Sequence, residues 1–506
     1  MKSQVNWLDR LVTYFAPRAG AERVKSRLVA NYYSSDRISQ RLYDGASTGR
    51  RTDGWITPSS NANNETKLAL SRLRDRSRDL TRNNPIANRA LQVIVSNTVG
   101  TGIMAKHRGN SRQLEVEMDR LWSSWSGSTS IDLEGRNDFY GLQALVLRTV
   151  VESGECLIRK VPVAAADGSV PLKLQVLEPD FLDALKDLKL PDGGVIVQGI
   201  EYNAQGARVA YWIFPEHPGS GGTGAVSRRI PADEILHVFR SERPGQARGV
   251  PWASTSMVRM RDLDDFMDAQ LVKMKVSSCL TAFVTDIEAP IDGSAATSTL
   301  GEKLEPGQIE ILPSGKDIRF ASPPGADGSE QFVTETLRLI SASYGISFEA
   351  MTNNYSTVNY SSGRMGWIEM SRNVDSWRWG MLIPQFCVPV WGWFAQAAGL
   401  TGQSFDGVRA EWSAPRREMI DPTKEISASI NAVRGGLISL SEVHRQSGFD
   451  SDSLLEEIAS DNAKLDALGL ILDSDARKTM KAGGAQAYVS DPAADSSVTT
   501  EQGQAQ

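Results

Sequence analysis

Glu152, Glu155, Cys156 and Arg159 crowd the start of a strand-like run and form the chain's densest grouping of side chains able to move a proton or attack a carbon. Two carboxylates at that spacing could serve as general acid and base, or hold a divalent cation for phosphodiester cleavage, and a thiol beside a guanidinium could act as a nucleophile. The thiol has no recognisable histidine partner, so the grouping reads as structural, and a metal-dependent hydrolase or nuclease working through Glu152 and Glu155 stands as the alternative. The four histidines, His107, His217, His237 and His444, are scattered without an HExxH pattern or metal-ligand spacing. His237 alternates within a strand and reads as packed. Gly219 to Gly224 satisfies GxGxxG in spelling only, because Pro215 and Pro218 precede it and no helix opens after it to receive a pyrophosphate; it reads as a hairpin tip. Gly315-Lys316 is followed by Asp317 and has no glycine five positions earlier, which excludes a Walker loop and an autonomous ATP-driven motor. No GxSxG elbow occurs. The failure of every catalytic pattern together points to a binding or structural protein without cofactor or metal.

The elements that would carry such a role follow from periodicity. Leu68, Leu73 and Leu80 mark a helix whose exposed face carries Arg72, Arg74, Arg76, Arg78 and Arg82, a row tempered by Asp75 and Asp79 and read as a solvated or inter-subunit ion-pair face. Asn83-Asn84-Pro85 stops it. Asn84 can cap a second helix with Pro85 at its first position, and Gly100 and Gly102 end that helix. Glu115 to Trp125 and Phe139 to Val151 continue the helical period. The period then becomes two at Glu155–Val163 and Leu172–Leu177, with a hairpin around Asn203-Ala204-Gln205-Gly206 and a short strand at Glu234–Arg240, so the fold class is α+β.

After Gly249-Val250-Pro251 a helix of roughly thirty residues is expected from Ala253 to Val284, about 45 Å long. Its apolar stripe is Met260, Leu263, Met267, Leu271 and Met274. Asp286 to Gly328 is rich in Pro, Gly and Ser, with strand-like runs at Gln308–Leu312 and Asp317–Phe320. Ser329 is placed to cap the next helix, which Gly345 ends. The loop Thr352 to Gly363 holds no charged side chain, yet nearly every one can hydrogen-bond. A Trp-rich helical stretch follows. Gly380 to Leu400 is uncharged and near the length of a membrane span, but Pro384 and Pro389 and the lack of any comparable segment make it a kinked packing helix, leaving a membrane pore as a third reading. Asp421-Pro422 begins a helix stopped at Gly435-Gly436, Ser439 with Glu442 suggests a capping box, and Leu454 to Leu468 forms the last helix. Residues 471–506 read as a disordered tail, and Trp7, Leu8, Leu11 and Phe15 as a short amphipathic helix of an N-terminal arm with no secretory signal.

Composition agrees with an assembly role. Among 506 residues, 41% are hydrophobic, and 55 basic against 61 acidic side chains leave a net charge of −6, which disfavours strong electrostatic capture of nucleic acid. Cys156, Cys279 and Cys387 fit a reducing compartment.

The block Arg76 to Gly102, with Tyr43-Asp44-Gly45-Ala46 and Asn61-Ala62-Asn63-Asn64-Glu65 upstream, resembles the lambda-like portal proteins of tailed bacteriophages. The resemblance spans about residues 40 to 470 and implies a portal-type fold: mainly helical stem and crown side, an α+β wing, a small α/β clip, assembled as a ring. Carried onto this chain it implies an N-terminal arm over 1–40, a wing over 41–252, stem helices over 253–284 and 329–346, a clip over 285–328, a tunnel loop and long apolar helix over 347–420, and crown-side helices over 421–470. It implies a homo-oligomeric ring, commonly of twelve subunits, at one capsid vertex of the virion after assembly in the host cytoplasm. Double-stranded DNA would pass through without sequence preference, the terminase large subunit would dock for packaging, and head-completion, tail-connector and capsid or scaffolding proteins would follow. The resemblance implies no membrane partner. Asn353, Asn354, Tyr355, Ser356, Thr357, Asn359 and Tyr360 are the expected channel contacts, Lys273 and Lys275 the stem's candidates for phosphate attraction. Asp286, Glu288, Glu302, Lys303, Glu305 and Lys316 are the candidates for docking at the clip. A twelve-fold ring of −6 subunits would carry roughly −72, a charge that passes a duplex without holding it.

Overall fold

A computed structural model describes residues 59–164, 169–220, 226–278, 282–286, 316–320, 328–356 and 358–400, most of 402–472, and a few isolated positions before 59. The chain divides into two compact units, Met1–Asn61 and Ala62–Gln506. The expected arm helix at Trp7–Phe15, the Tyr43–Ala46 motif, the Gln308–Leu312 run, Cys279 and the expected tail lie outside the described residues, apart from Tyr14 and Leu472.

The second unit opens with α1 (Ala62–Lys67), α2 (Leu70–Asn83) and α3 (Pro85–Thr98). Leu68 belongs to neither helix but sits exposed in the turn between α1 and α2. As the sequence predicts, Asn84 Oδ1 accepts from the Ala87 N–H at 2.9 Å, and Pro85 takes the position where a missing N–H costs nothing. The row of five exposed arginines needs correction. On a 3.6-residue period alternate positions spread around the cylinder, so Arg74 turns inward and is buried and Arg78 is half-buried. Arg72, Arg76 and Arg82 remain exposed.

Strand β1 (Met104–Arg108), α4 (Arg112–Ser126) and α5 (Phe139–Ser153) lead into β2 (Glu155–Pro162) and β3 (Leu172–Leu177). Strands β4 (Leu188–Lys189), β5 (Val195–Val197), β6 (Ile200–Tyr202), β7 (Arg208–Ile213) and β8 (Arg228–Pro231) form a five-stranded antiparallel sheet in sequence order, while β9 (Ile235–Phe239) returns to pair with β2 in the order β3-β2-β9. The hairpin turn falls where expected, with Gly206 at φ 82°. The apparent GxGxxG is such a tip: Pro218–Ser220 makes a single 3-10 turn and a strand, not a helix, resumes at Arg228, with residues 221–225 outside the described residues.

Gly154 ends α5 with φ 92°, and a Cβ there would stand 2.5 Å from the Val250 carbonyl carbon, while one on Gly249 would stand 2.1 Å from the Gly154 oxygen. Two glycine backbones therefore cross where the α+β part gives way to the long helices. The expected helix Ala253–Val284 is shorter. A 3-10 turn occupies Trp252–Thr255, α6 runs Met257–Ser278, about 33 Å, and Ala282–Asp286 is β10, antiparallel to β11 (Lys316–Phe320). The run Ala282-Phe283-Val284-Thr285 is aromatic and β-branched, so the ladder wins over helical continuation. Met257, Met260 and Leu263 are buried, but Met267, Leu271 and Met274 are half or more exposed, so the stripe leaves the body after about two turns. Returning helix α7 (Ser329–Tyr344) mirrors this, with Phe332 and Leu339 exposed and Ile340 and Tyr344 buried; Phe266 and Phe332 meet at 4.9 Å. Gly328 at φ 85° precedes α7, so Ser329 is its first residue and not its cap.

After α8 (Phe348–Thr352) the chain runs as one unbroken helix from Tyr360 to Gly399: α9 (Tyr360–Trp377), a π-helical segment (Arg378–Cys387) and α10 (Val388–Gly399). Pro384 lies in the π segment with Gly380 four residues before it, and the wider turn relieves the clash its ring would otherwise make; the Val388 N–H bonds to the Ile383 carbonyl. The uncharged stretch is core: Leu382, Phe386, Cys387, Val390, Phe394 and Ala398 are fully buried. Phe386 stacks on Phe139, and Phe394 meets Trp122 edge-on at 4.9 Å. No helix among the described residues is long and apolar enough to cross a membrane. Strand β12 (Arg409–Ser413) pairs with β1. Helices α11 (Pro422–Arg434), α12 (Leu440–Gln446) and α13 (Ser451–Leu468) complete the described fold, and α13 is held by polar links, Arg108 to Asp452 at 2.6 Å and Arg112 to Glu456 at 3.0 Å. Asp421 caps α11, as expected. Ser439 caps α12, but Glu442 pairs with Arg445 and does not reach back to close a capping box.

Candidate functional site

The uncharged loop is shorter than its composition suggests. Ser347 caps α8, Thr352 ends it, Asn353 follows in the left-handed region at φ 55°, and Tyr360 to Gly363 already belong to α9. The loop proper is 353–359. Asn359 Oδ1 accepts from Ser362 N at 2.9 Å while Ser362 Oγ accepts from Asn359 N at 3.1 Å, a reciprocal cap that anchors the start of α9. Asn354 Oδ1 accepts from both the N–H and the hydroxyl of Ser356, and Val358 N donates to Tyr355 O. The amide oxygens of Asn354 and Asn359 are thus taken by nearby serines, and Tyr355 and Tyr360 project, 60% and 50% exposed. Thr357 lies outside the described residues.

Cations surround the loop but come from other elements. Arg89 of α3 donates to Asn353 Oδ1 at 2.9 Å and to the Ala350 carbonyl at 3.2 Å, Arg364 reaches the Tyr360 hydroxyl at 3.4 Å, and Lys424, paired with Asp421, stands 5.7 Å from the Tyr360 ring. None of the three carries a sequence signal, because positions 89, 364 and 424 are brought together only by the packing of α3, α9 and α11. Of the stem candidates, Lys273 is half-buried and Lys275 exposed on the projecting part of α6, and neither makes an ion pair among the described residues. Of the docking candidates, Asp286 and Lys316 form one register pair at the far end of the β10–β11 ladder; Glu288, Glu302, Lys303 and Glu305 lie outside the described residues.

The catalytic-looking group resolves into a buried ionic knot. Glu155 is fully buried and its carboxylate accepts from Arg248 at 2.6 to 3.0 Å, from His237 Nε2 at 2.9 Å and from the Gly249 N–H at 2.8 Å, with Arg74 at 3.7 Å. Burial pushes its carboxyl up, but Arg248 and His237 outweigh this and hold it well below the usual range. His237 moves down because burial disfavours the imidazolium, so it is neutral and donates from Nε2. With its lone pairs taken, Glu155 cannot serve as base or ligand. Cys156 is buried and its thiol is pushed far up by burial, which leaves no thiolate. Arg159 lies on the same strand, but Glu152 is turned elsewhere, half-buried and raised by burial.

Glu178, Asp180 and His217 gather their ligand atoms within 4.8 Å. The chemistry does not suit a metal: Arg78 already bonds both carboxylates, and His217 Nδ1 accepts from the Gly219 N–H, which leaves the proton on the Nε2 that faces Glu178. Arg378 is a further residue without a sequence signal. It is buried, and its guanidinium donates to the carbonyls of Asn97 and Thr98, both at 2.6 Å, satisfying the C-terminal end of α3 from inside the long helix.

Residues 48–378 match the family model described as phage portal protein, lambda family. The chain is 24% identical over 463 residues to a probable portal protein of Halomonas phage phiHAP-1, covering 85% of this chain and 88% of that one. It is 23% identical over 486 residues to the portal protein of Escherichia phage N15, covering 84% and 90%. Among solved structures it is similar to a chain in the neck of a native gene transfer agent particle computed with C12 symmetry, at a TM-score of 0.45 and 15% identity, covering 76% of this chain and 93% of that one.

Proposed function

The chain belongs to the lambda family of phage portal proteins, and from that premise we propose that it closes into a homo-oligomeric ring of twelve copies at one capsid vertex and passes double-stranded DNA through its centre. As a member of that family it is a structural component of particle assembly and not an enzyme. The observation that carries the mechanism is an order of elements along one chain. Helix α6 leaves the body, the β10–β11 ladder comes next, α7 returns, and the loop 353–359 comes directly before the unbroken helix Tyr360–Gly399.

In this reading the exposed halves of α6 and α7 are the stem, covered in the ring by neighbouring copies. A head-to-tail interface repeated around an axis buries such faces without leaving an open end. The loop 353–359 meets the duplex. Among the described residues its side chains are uncharged, and the amide oxygens of Asn353, Asn354 and Asn359 are taken by Arg89, Ser356 and Ser362, so it offers the phosphates only neutral contacts that do not depend on sequence, which suits a conduit that must let DNA slide. The segment from β10 to β11 is the clip, on which the terminase large subunit docks during packaging and head-completion and tail-connector proteins dock afterwards. Capsid or scaffolding protein surrounds the ring, which is built in the host cytoplasm and resides in the virion.

In vitro packaging with clip variants tests the assignment. Reversing Glu302, Lys303 and Glu305 together should leave rings intact and lower DNA uptake at least tenfold. Unchanged uptake by these rings, with uptake lost instead on an equally conservative change in the five-stranded sheet, would place motor docking elsewhere.

A further inference from the structure

The elbow between α2 and α3 holds a cleft of about 410 Å³ whose lining includes Arg82, Asn83, Asn84, Asn88, Arg89 and Gln92, two guanidinium groups and four carboxamides with no carboxylate among the lining residues. Two acids adjoin the elbow through its asparagines, and Glu152 lies close enough to feel the charge of Arg82. Asp79 accepts from Asn83 at 2.7 Å, and Asp264 accepts from Asn84 at 2.9 Å. Neither Arg82 nor Arg89 forms an ion pair among the described residues, in contrast to Arg74 and Arg78 on α2. Pro85 lacks an N–H and Asn84 takes that of Ala87, so the positive charge of the cleft comes from Arg82 and Arg89 rather than from the N-terminus of α3. The cleft is continuous with the loop, since Arg89 bonds Asn353 at 2.9 Å.

We propose that this cleft is a contact for the phosphate backbone of double-stranded DNA, with Arg82 and Arg89 as the charged donors and, as neutral ones, the second N–H of Asn83, Asn88 and Gln92, whose amides each already donate once within the protein, to Asp79, the Thr81 carbonyl and Asn88. The inference rests on the portal reading and deepens it. Planar guanidinium groups bond phosphate oxygens two at a time, and carboxamides add sequence-indifferent donors. Arg89 serves both partners: engaged by phosphate, it releases Asn353 and loosens the first residue of the loop. The division of labour is that the loop itself carries no charge, while its attraction for DNA is supplied from the elbow behind it.

The test measures binding of a short blunt-ended duplex to purified assembled rings as salt is varied. Arg82→Gln with Arg89→Gln should weaken binding at low salt by about tenfold and flatten the dependence of log affinity on log salt, by about 0.9 for each phosphate that is no longer neutralised. Arg89→Lys, which keeps the charge, should restore most of the slope. Arg120→Gln, removing an exposed arginine already paired with Glu117, should change neither quantity. Intact rings of the double variant with unchanged affinity and slope overturn the inference and leave the portal reading standing. Failure of the double variant alone to assemble also overturns it, by assigning the arginines to the contact between subunits. Failure of the unmodified chain to form rings instead contradicts the portal reading itself.

Discussion

Replacing Glu155 by glutamine removes the charge that Arg248 and Arg74 both face, and leaves a fully buried guanidinium without its counter-ion. Breaking one side of a buried pair costs about 3–5 kcal/mol, and urea unfolding of the E155Q subunit should show a loss of that size. The knot also sets a pH dependence. Glu155 is held below its ordinary 4.5, so its contribution is complete above that value and is lost as pH falls beneath it. His237 is held below its ordinary 6.5, so its neutral burial also favours the folded state above that pH and less below it. The signs agree: the thermal midpoint should fall on acidification, first from about pH 6.5 and again below about 4.5, and His237→Gln should flatten the upper step. Little of this is legible in the sequence. Glu155 stands out there as a carboxylate beside a thiol, but its partners at 74, 237 and 248 are joined only by the crossing of α2, β9 and the Gly249 backbone.

Helix ends, in contrast, are readable wherever a side chain caps its own turn. Asn84-Pro85, Asp421-Pro422 and Gly345 act locally and fall where the sequence places them. Ends decided by competition between periods are not, which is why α6 stops at Ser278 and a strand takes Ala282–Asp286, and why Tyr360 falls in helix and not in loop. The reciprocal cap at Asn359 and Ser362 explains the latter. Asn359→Ala should cost about 1 kcal/mol at the start of α9, and amide hydrogen exchange at 360–363 should quicken about fivefold while exchange within the buried π segment stays unchanged. The prolines in the apolar stretch suggest a kink; Pro384 is instead absorbed by the π segment, whose wide turn keeps the helix continuous.

At the scale of the whole molecule, the fold class and the family are legible because the Arg76–Gly102 block and the order of elements survive in one chain, and residues 48–378 match the lambda portal family. The apolar surface a single subunit exposes is as informative as its core. Met267, Leu271, Met274, Phe332 and Leu339 are exposed along two helices that have left the body, a band of apolar surface that a ring of copies would cover. On the proposed function, the chain works only as a closed ring with a hole. Negative-stain imaging of the purified protein, with its mass measured in solution, tests this most directly. Ring-shaped particles with a central opening and the mass of twelve chains are expected, and a protein that stays monomeric at high concentration would rule out the ring.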